Sequence, residues 1–288
     1  MTVRRWLFSP WSAGGEVAAL QAFLREHAAG DLISWQHQLA AAERFALSVG
    51  EVETAILAAD LLPARYQRNR GMLTTQQQGQ LFHSRVAVIG CGGLGGYVLE
   101  ELARLGVGEL VAIDADCFEE HNLNRQLLSS PGTLGQAKVA AAAQRLAEIN
   151  PAVTVRPVKD QFTRANGAEL LAGADCVVDA VDNMTARLDL EAVCSDLKIP
   201  LVHGAIAGWY GHVATVYPGE GTLQKLYRHW TGGKGIEQQL GNPSFTPAVI
   251  ASLETAEVCK VLLGLGTPLR NRQLTLNLLD MEVVEVPL

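Results

Sequence analysis

The chain of 288 residues holds little of what would mark a secreted, membrane-bound or nucleic-acid-binding protein. Its cysteines are five, an odd number: Cys91, Cys117, Cys176, Cys194 and Cys259. No two form a C-x-x-C pair, which argues against a disulfide framework and against a structural zinc site. No apolar run approaches the ~18 residues of a membrane span. Positive charge is scarce, with 23 Lys and Arg against 30 Asp and Glu and a net charge of −7. That balance fits neither non-specific nucleic-acid binding nor an anionic membrane surface. There is no internal repeat, low-complexity tract or long charged block. Arg4 and Arg5 are followed by Glu16, Arg25, Glu26 and His27 rather than by an unbroken apolar region, so no secretory leader is expected. A cytoplasmic protein with reduced thiols is the expectation.

Apolar residues make up 48% of the chain and charged residues 18%, enough for a substantial core and incompatible with disorder throughout. Two regions differ in pattern. Residues 1–62 read as a helical extension, with apolar residues at Val17, Leu20 and Leu24 and again at Leu39, Ala42, Phe45 and Leu47. Ser48 followed by Glu51 is a capping box, predicting a helix from there to about residue 62, ahead of Pro63. Two helices around a turn resemble a helix-turn-helix. With four Lys/Arg against seven Asp/Glu in the first 60 residues, a DNA-facing surface is not expected, and an accessory or dimer-packing element is.

Residues 63–288 alternate between strand and helix patterns. Strands are predicted over 85–90, 109–114, 153–158, 176–180 and 200–204, and helices over 97–105, 136–149 and 185–197. Such alternation implies a doubly wound α/β fold with a mainly parallel sheet. Strands over 212–217, 273–280 and 283–286, with a helix over 247–263, predict an antiparallel C-terminal extension.

The first strand runs into Gly90-Cys91-Gly92-Gly93-Leu94-Gly95, which opens a helix. Glycines there let backbone N–H groups approach an anion at a helix N-terminus. Asp114 ends the next strand, 24 residues after Gly90, where a carboxylate can accept from a ribose. The pair predicts an adenine nucleotide on a Rossmann-like sheet, without deciding between NAD and ATP. Next come Asp116, then Asn122, Asn124, Arg125 and Gln126, then Lys138, and after the fourth strand Asp182 and Asn183 with Arg187. Arg125 and Lys138 can neutralise phosphate oxygens and Asp182 can hold Mg²⁺, a set suited to splitting a triphosphate and without a task in hydride transfer.

In these motifs residues 65–288 resemble the ThiF/MoeB/HesA branch of the ubiquitin-activating-enzyme superfamily. The resemblance rests on Arg65-Tyr66-Gln67-Arg68, the glycine loop, Asp114 with Asp116, residues 122–126, Gly135 to Lys138, Ile149-Asn150-Pro151, and Asp182-Asn183 with Arg187. Residues 200–205 and Gly208-x-x-Gly211 continue it. The resemblance implies a homodimer that uses ATP and Mg²⁺ to adenylate a small ubiquitin-like sulfur-carrier protein ending in Gly-Gly, for thiamine, molybdopterin-type or related cofactor synthesis. By position, Gly90, Gly92, Gly93 and Gly95 contact nucleotide and Asp114 holds the ribose. Asn122, Arg125 and Lys138 orient and neutralise phosphates, Asp182 binds Mg²⁺, and Arg68 reaches the partner subunit's triphosphate.

The departures concern sulfur. Many relatives carry two C-x-x-C pairs for zinc, and here there are none. Thioester-forming relatives place a cysteine in the crossover segment, and residues 217–247 contain none. A separate sulfur donor is therefore expected, and no zinc. Three alternatives stay open: activation of another carboxylate or amide, such as a peptide C-terminus or a tRNA base; an NAD-dependent oxidoreductase; and a non-catalytic binding module. Cys91 reads as a small loop side chain, His203 as a packed and hydrogen-bonded histidine, Cys176 and Cys259 as core, and Trp209 and Tyr210 as candidate groove residues.

Overall fold

A computed structural model describes residues 14–228 and 240–288, so Arg4, Arg5 and the middle of the crossover segment lie outside the described residues. The chain divides into two compact units between Gly79 and Gln80, and the expected boundary at 62/63 falls inside the first.

The first unit holds helices α1 (Gly14–Glu26), α2 (Trp35–Arg44) and α3 (Val49–Ala58), and short strands β1 (Leu32–Ile33) and β2 (Leu62–Pro63). The core gathers Leu20, Leu24, Ile33, Ala41, Val52 and Ile56. The capping box forms as expected: Ser48 Oγ accepts from Glu51 N–H, and a Glu51 carboxylate oxygen accepts from Ser48 N–H at 2.8 Å. Two expectations fail. Helix α3 stops at Ala58, because Asp60 takes a left-handed φ of 59° and Leu62 pairs in parallel with Leu32. Leu39 is 45% exposed, while Gln38 is buried in its place with its amide donating to Ile33 O at 3.1 Å. Arg65 ion-pairs with buried Glu53, whose other oxygen accepts from Tyr66 O–H at 2.8 Å. These bonds tie residues 64–69 to α3.

The second unit is α/β. Its strands are β3 (Arg85–Ile89), β4 (Glu109–Ile113), β5 (Thr154–Val158), β6 (Cys176–Asp179), β7 (Leu201–Ala207), β8 (Tyr210–Val216), β9 (Arg272–Asn277) and β10 (Glu282–Pro287). The helices are α4 (Thr75–Phe82), which runs across the division, then α5 (Gly93–Leu105), α6 (Lys138–Ile149), α7 (Gly167–Leu170), α8 (Met184–Leu197), α9 (Thr222–Leu226) and α10 (Phe245–Leu263). One eight-stranded sheet has the order β10-β9-β8-β7-β6-β3-β4-β5. The pairings from β5 to β7 are parallel and those from β7 to β10 antiparallel, as the sequence predicts. Strands β3, β4 and β6 are apolar runs because both sheet faces there are covered. Pro157 is tolerated because β5 is the sheet edge.

Candidate functional site

Strand β3 lies between β4 and β6, so chain order runs outward from it in both directions. At such a switch point the loops leaving the strand C-termini open a crevice where ligands bind. The glycine loop follows β3, Asp114 follows β4, and residues 180–183 follow β6. The two sides of the crevice touch at Gly90. Its φ is +96°, and a Cβ there would stand 2.5 Å from Ala180 O.

The loop glycines serve different purposes. A Cβ on Gly95 would stand 1.8 Å from Gly90 O, so the start of α5 packs directly on the loop backbone. At Gly92 and Gly93 the nearest neighbours would be Gln126 Nε2 at 3.4 Å and Pro247 Cβ at 3.6 Å. Packing alone does not demand glycine at those two positions, and the open space leaves backbone N–H groups at the α5 N-terminus accessible to an anion such as phosphate. Gln126 is buried beside Gly92, and its Oε1 has no hydrogen-bond partner among the described residues. An orphaned polar atom beside an uncluttered glycine loop fits a polar ligand such as a nucleotide.

Asp114, Asp116 and Lys138 come together next to this loop. Asp114 Oδ2 accepts from Cys91 N–H at 2.8 Å and Oδ1 from Asp116 N–H at 2.8 Å. Lys138 begins α6, is only 7% exposed, and holds Nζ 2.9 Å from Asp116 Oδ2 and 3.8 Å from Asp114 Oδ2. Burial pushes the Cys91 thiol well up and the Asp114 carboxylate adds to this, which keeps the sulfur protonated.

Other expected residues are placed differently. Asn122 turns inward, its Oδ1 accepting from Glu119 N–H at 2.9 Å. Arg125 Nη1 donates to His121 O at 2.9 Å and Asn124 Oδ1 at 2.8 Å, and Asn124 Nδ2 donates to Asn242 O at 3.0 Å. Asp182 is exposed, and Asn183 caps α8 by accepting from Ala186 N–H at 2.8 Å. An exposed carboxylate just outside a capped helix is a donor that suits Mg²⁺. Arg68 is exposed on the first unit. Trp209 is 44% exposed and packs against Phe245 with ring centroids 4.5 Å apart and the rings tilted by 46°.

Sequence reasoning passed over a buried polar cluster under the β6 side of the crevice. Asp179 and His203 are register partners in β6 and β7, both wholly buried, with Asp179 Oδ2 accepting from His203 Nδ1–H at 2.7 Å. His203 is thus the packed, hydrogen-bonded histidine expected. Tyr227 Oη lies 2.9 Å from His203 Nε2 and 3.2 Å from His212 Nε2. Burial pushes His212 down to about 3, with His203 and Arg187 adding to the effect, so His212 is neutral. The Glu254 carboxyl of α10 packs against Gly204, where a Cβ would stand 2.4 Å from its Cδ. Two polar residues at matched positions in the neighbouring apolar runs, Val-Val-Asp179 and Leu-Val-His203, were the available signal.

A glycine loop, two neighbouring carboxylates, a buried lysine and an outlying carboxylate gather at one switch point of a Rossmann-like α/β sheet. The chain belongs to the ThiF family, which matches residues 66–288. It is 36% identical over 227 residues to the SAMP-activating enzyme E1 of Haloferax volcanii, spanning 77% of this chain and 84% of that one. It is 37% identical over 193 residues to the molybdopterin-synthase adenylyltransferase of Escherichia coli, spanning 66% and 78%. It is 35% identical over 226 residues to the sulfur carrier protein adenylyltransferase of Thermus thermophilus, spanning 75% and 83%. Among solved structures, E. coli MccB with succinimide superposes with a TM-score of 0.67 at 20% identity, over 87% of this chain and 82% of that one, a likeness of fold.

Proposed function

We propose that the chain is an adenylyltransferase that activates the C-terminal Gly-Gly carboxylate of a small ubiquitin-like sulfur-carrier protein. The observation that carries the reading is the convergence of the glycine loop, Asp114, Asp116 and buried Lys138 beside the α5 N-terminus, with Asp182 across the switch point. The names of the similar enzymes from H. volcanii, E. coli and T. thermophilus point the same way.

Backbone N–H groups from Gly92 to Gly95 hold phosphate oxygens, and Asp114 accepts from the ribose. Lys138 and Arg125 offset the repulsion between the incoming carboxylate and the polyphosphate, and the charge that grows on pyrophosphate. The carboxylate oxygen bonds to the α-phosphorus as the bond to the bridging oxygen breaks, leaving an acyl-adenylate and pyrophosphate. Mg²⁺, when bound, neutralises and orients the phosphates, and Asp182 is the residue that would hold it. We assign Arg68 to the triphosphate of a partner subunit in a homodimer, and sulfur transfer to a separate donor. Five unpaired thiols suit a reducing cytoplasm.

The test is exchange of labelled pyrophosphate into ATP, dependent on Mg²⁺ and on a small protein ending in Gly-Gly. Asp182→Ala, folded, loses the exchange. Full exchange by that variant refutes the role of Asp182, and nicotinamide-dependent redox activity refutes the class.

A further inference from the structure

We propose that Asp179, Arg187 and His203 are positioning residues that hold the turn after β6 through the backbone of Val181, and so set the carboxylate of Asp182 for its cation. The inference rests on the reading of Asp182 given above and assigns work to residues outside the phosphate-contacting set.

Asp179 ends β6 with no exposed surface. A carboxylate in that position persists only if hydrogen-bonded and paired. Its Oδ1 accepts from Val181 N–H at 3.1 Å and its Oδ2 from His203 Nδ1–H at 2.7 Å. Arg187, from the first turn of α8, ion-pairs with Asp179 Oδ2 at 3.7 Å. Its Nη2 donates to Val181 O at 2.8 Å. Both backbone polar groups of Val181 are therefore held by oppositely charged side chains that also hold each other. Val181 stands between Ala180, which abuts Gly90, and Asp182. A clamp on it fixes where the Asp182 side chain leaves the backbone.

A second ring of bonds surrounds His203, whose Nε2 also lies 3.2 Å from His212 Nε2. His203 gives its Nδ1 proton to Asp179, so its Nε2 is an acceptor and takes the Tyr227 hydroxyl proton at 2.9 Å. The Tyr227 oxygen then has its lone pairs for Arg187 Nη1–H at 3.0 Å and His212 Nε2–H at 3.2 Å. Asp179 at Nδ1 and the Tyr227 hydroxyl at Nε2 hold the His203 ring at both nitrogens. Networks satisfied in this way rigidify what they hold.

The experiment measures ATP binding by calorimetry across a Mg²⁺ titration, on the full chain without any carrier, with melting temperature recorded in parallel. His203→Ala leaves Asp179 without its Nδ1–H donor. It is expected to raise the Mg²⁺ concentration for half-maximal ATP binding by ~10-fold, the low end for residues that act through a ligand's support. His203→Asn restores an N–H toward Asp179 and is expected to return the requirement to within ~3-fold of wild type. Asp182→Asn is expected to abolish the Mg²⁺-dependent part of binding. A merely structural role predicts lower melting temperatures for both His203 variants with no change in the Mg²⁺ requirement. That result, alongside loss in Asp182→Asn, overturns the clamp and leaves the proposed function standing. An unchanged requirement in Asp182→Asn itself overturns the metal role and the clamp together. Should His203→Ala fail to fold, Tyr227→Phe replaces it: a raised Mg²⁺ requirement supports the clamp, and an unchanged one overturns it.

Discussion

Glu254 offers a test in which the sign of a pH effect follows from the structure alone. Its side chain has no exposed surface, and neither carboxyl oxygen has a hydrogen-bond partner among the described residues. Burial pushes its pKa well above 4.5, and the charge of Asp179 pushes further, against a smaller opposing pull from Arg187. The folded chain therefore keeps a proton that the unfolded chain releases. A raised folded pKa means that this group's contribution is fully present below the unfolded pKa, about 4.3, and is lost as pH rises through the folded pKa. Across that window stability falls by up to ~1.4 kcal/mol per pH unit. Glu254→Gln keeps the shape, has no proton to release, and lacks that slope. Near pH ~4.5 the two proteins should differ by about 1 kcal/mol or less, since each buries one unpartnered polar end. Urea unfolding of both at steps from about pH 5 to about pH 8 measures the gap. It should widen in favour of Gln as pH rises, at no more than ~1.4 kcal/mol per unit. A gap independent of pH, or one that widens toward acid, refutes the assignment of a protonated buried Glu254.

Other expectations concern the loop, the dimer and the thiols. Gly95→Ala places a Cβ 1.8 Å from Gly90 O and should cost on the order of 3 kcal/mol in denaturant unfolding, whereas Gly92→Ala, with 3.4 Å of room, should keep its stability and lose ATP affinity in calorimetry. Wild-type affinity in Gly92→Ala would count against phosphate binding by the loop. Mixed subunits of inactive Arg68→Ala and inactive Lys138→Ala should recover part of the exchange activity, because one hybrid site holds both native groups. No recovery after verified subunit exchange would remove Arg68 from the partner's site. Enzyme, ATP and carrier should give no thiol-cleavable adduct: burial pushes Cys194 up to about 12 and Cys259 up to about 11, and raises Cys91 and Cys176 as well. A stoichiometric adduct abolished by one cysteine substitution would identify a nucleophile this account lacks. Zinc content should be far below one per chain by elemental analysis.

The sheet and the glycine loop at its switch point were legible because their signals are local. Residues 86–89 are a buried apolar run, a cluster of glycines follows it directly, and Ser48 with Glu51 announces a helix start within four residues. What escaped depends on contacts between distant segments. Strands β1 and β2, two residues each, exist through the pairing of Leu32 with Leu62, which no local pattern encodes. Gln38 displaced Leu39 from the buried face because Ile33 O and Arg65 satisfy its amide. Asp179 and His203 looked like the ends of two apolar runs, and their partnership appears only in the parallel register of β6 and β7. Glu254 sits in a helix whose other acidic residue, Glu257, is also buried but satisfied by Leu269 N–H at 2.7 Å, so residue type alone could not separate them.

The central claim is that a carboxylate of the carrier attacks the α-phosphorus of ATP. A carrier ending in Gly-Gly, with its terminal carboxylate enriched in heavy oxygen, can be incubated with enzyme, ATP and Mg²⁺, and the adenylate then discharged by a thiol or amine. Mass spectrometry of the products follows the label. Adenylation yields AMP carrying one labelled oxygen and unlabelled pyrophosphate. Label in inorganic phosphate alongside ADP would place the attack at the terminal phosphorus and contradict adenylation.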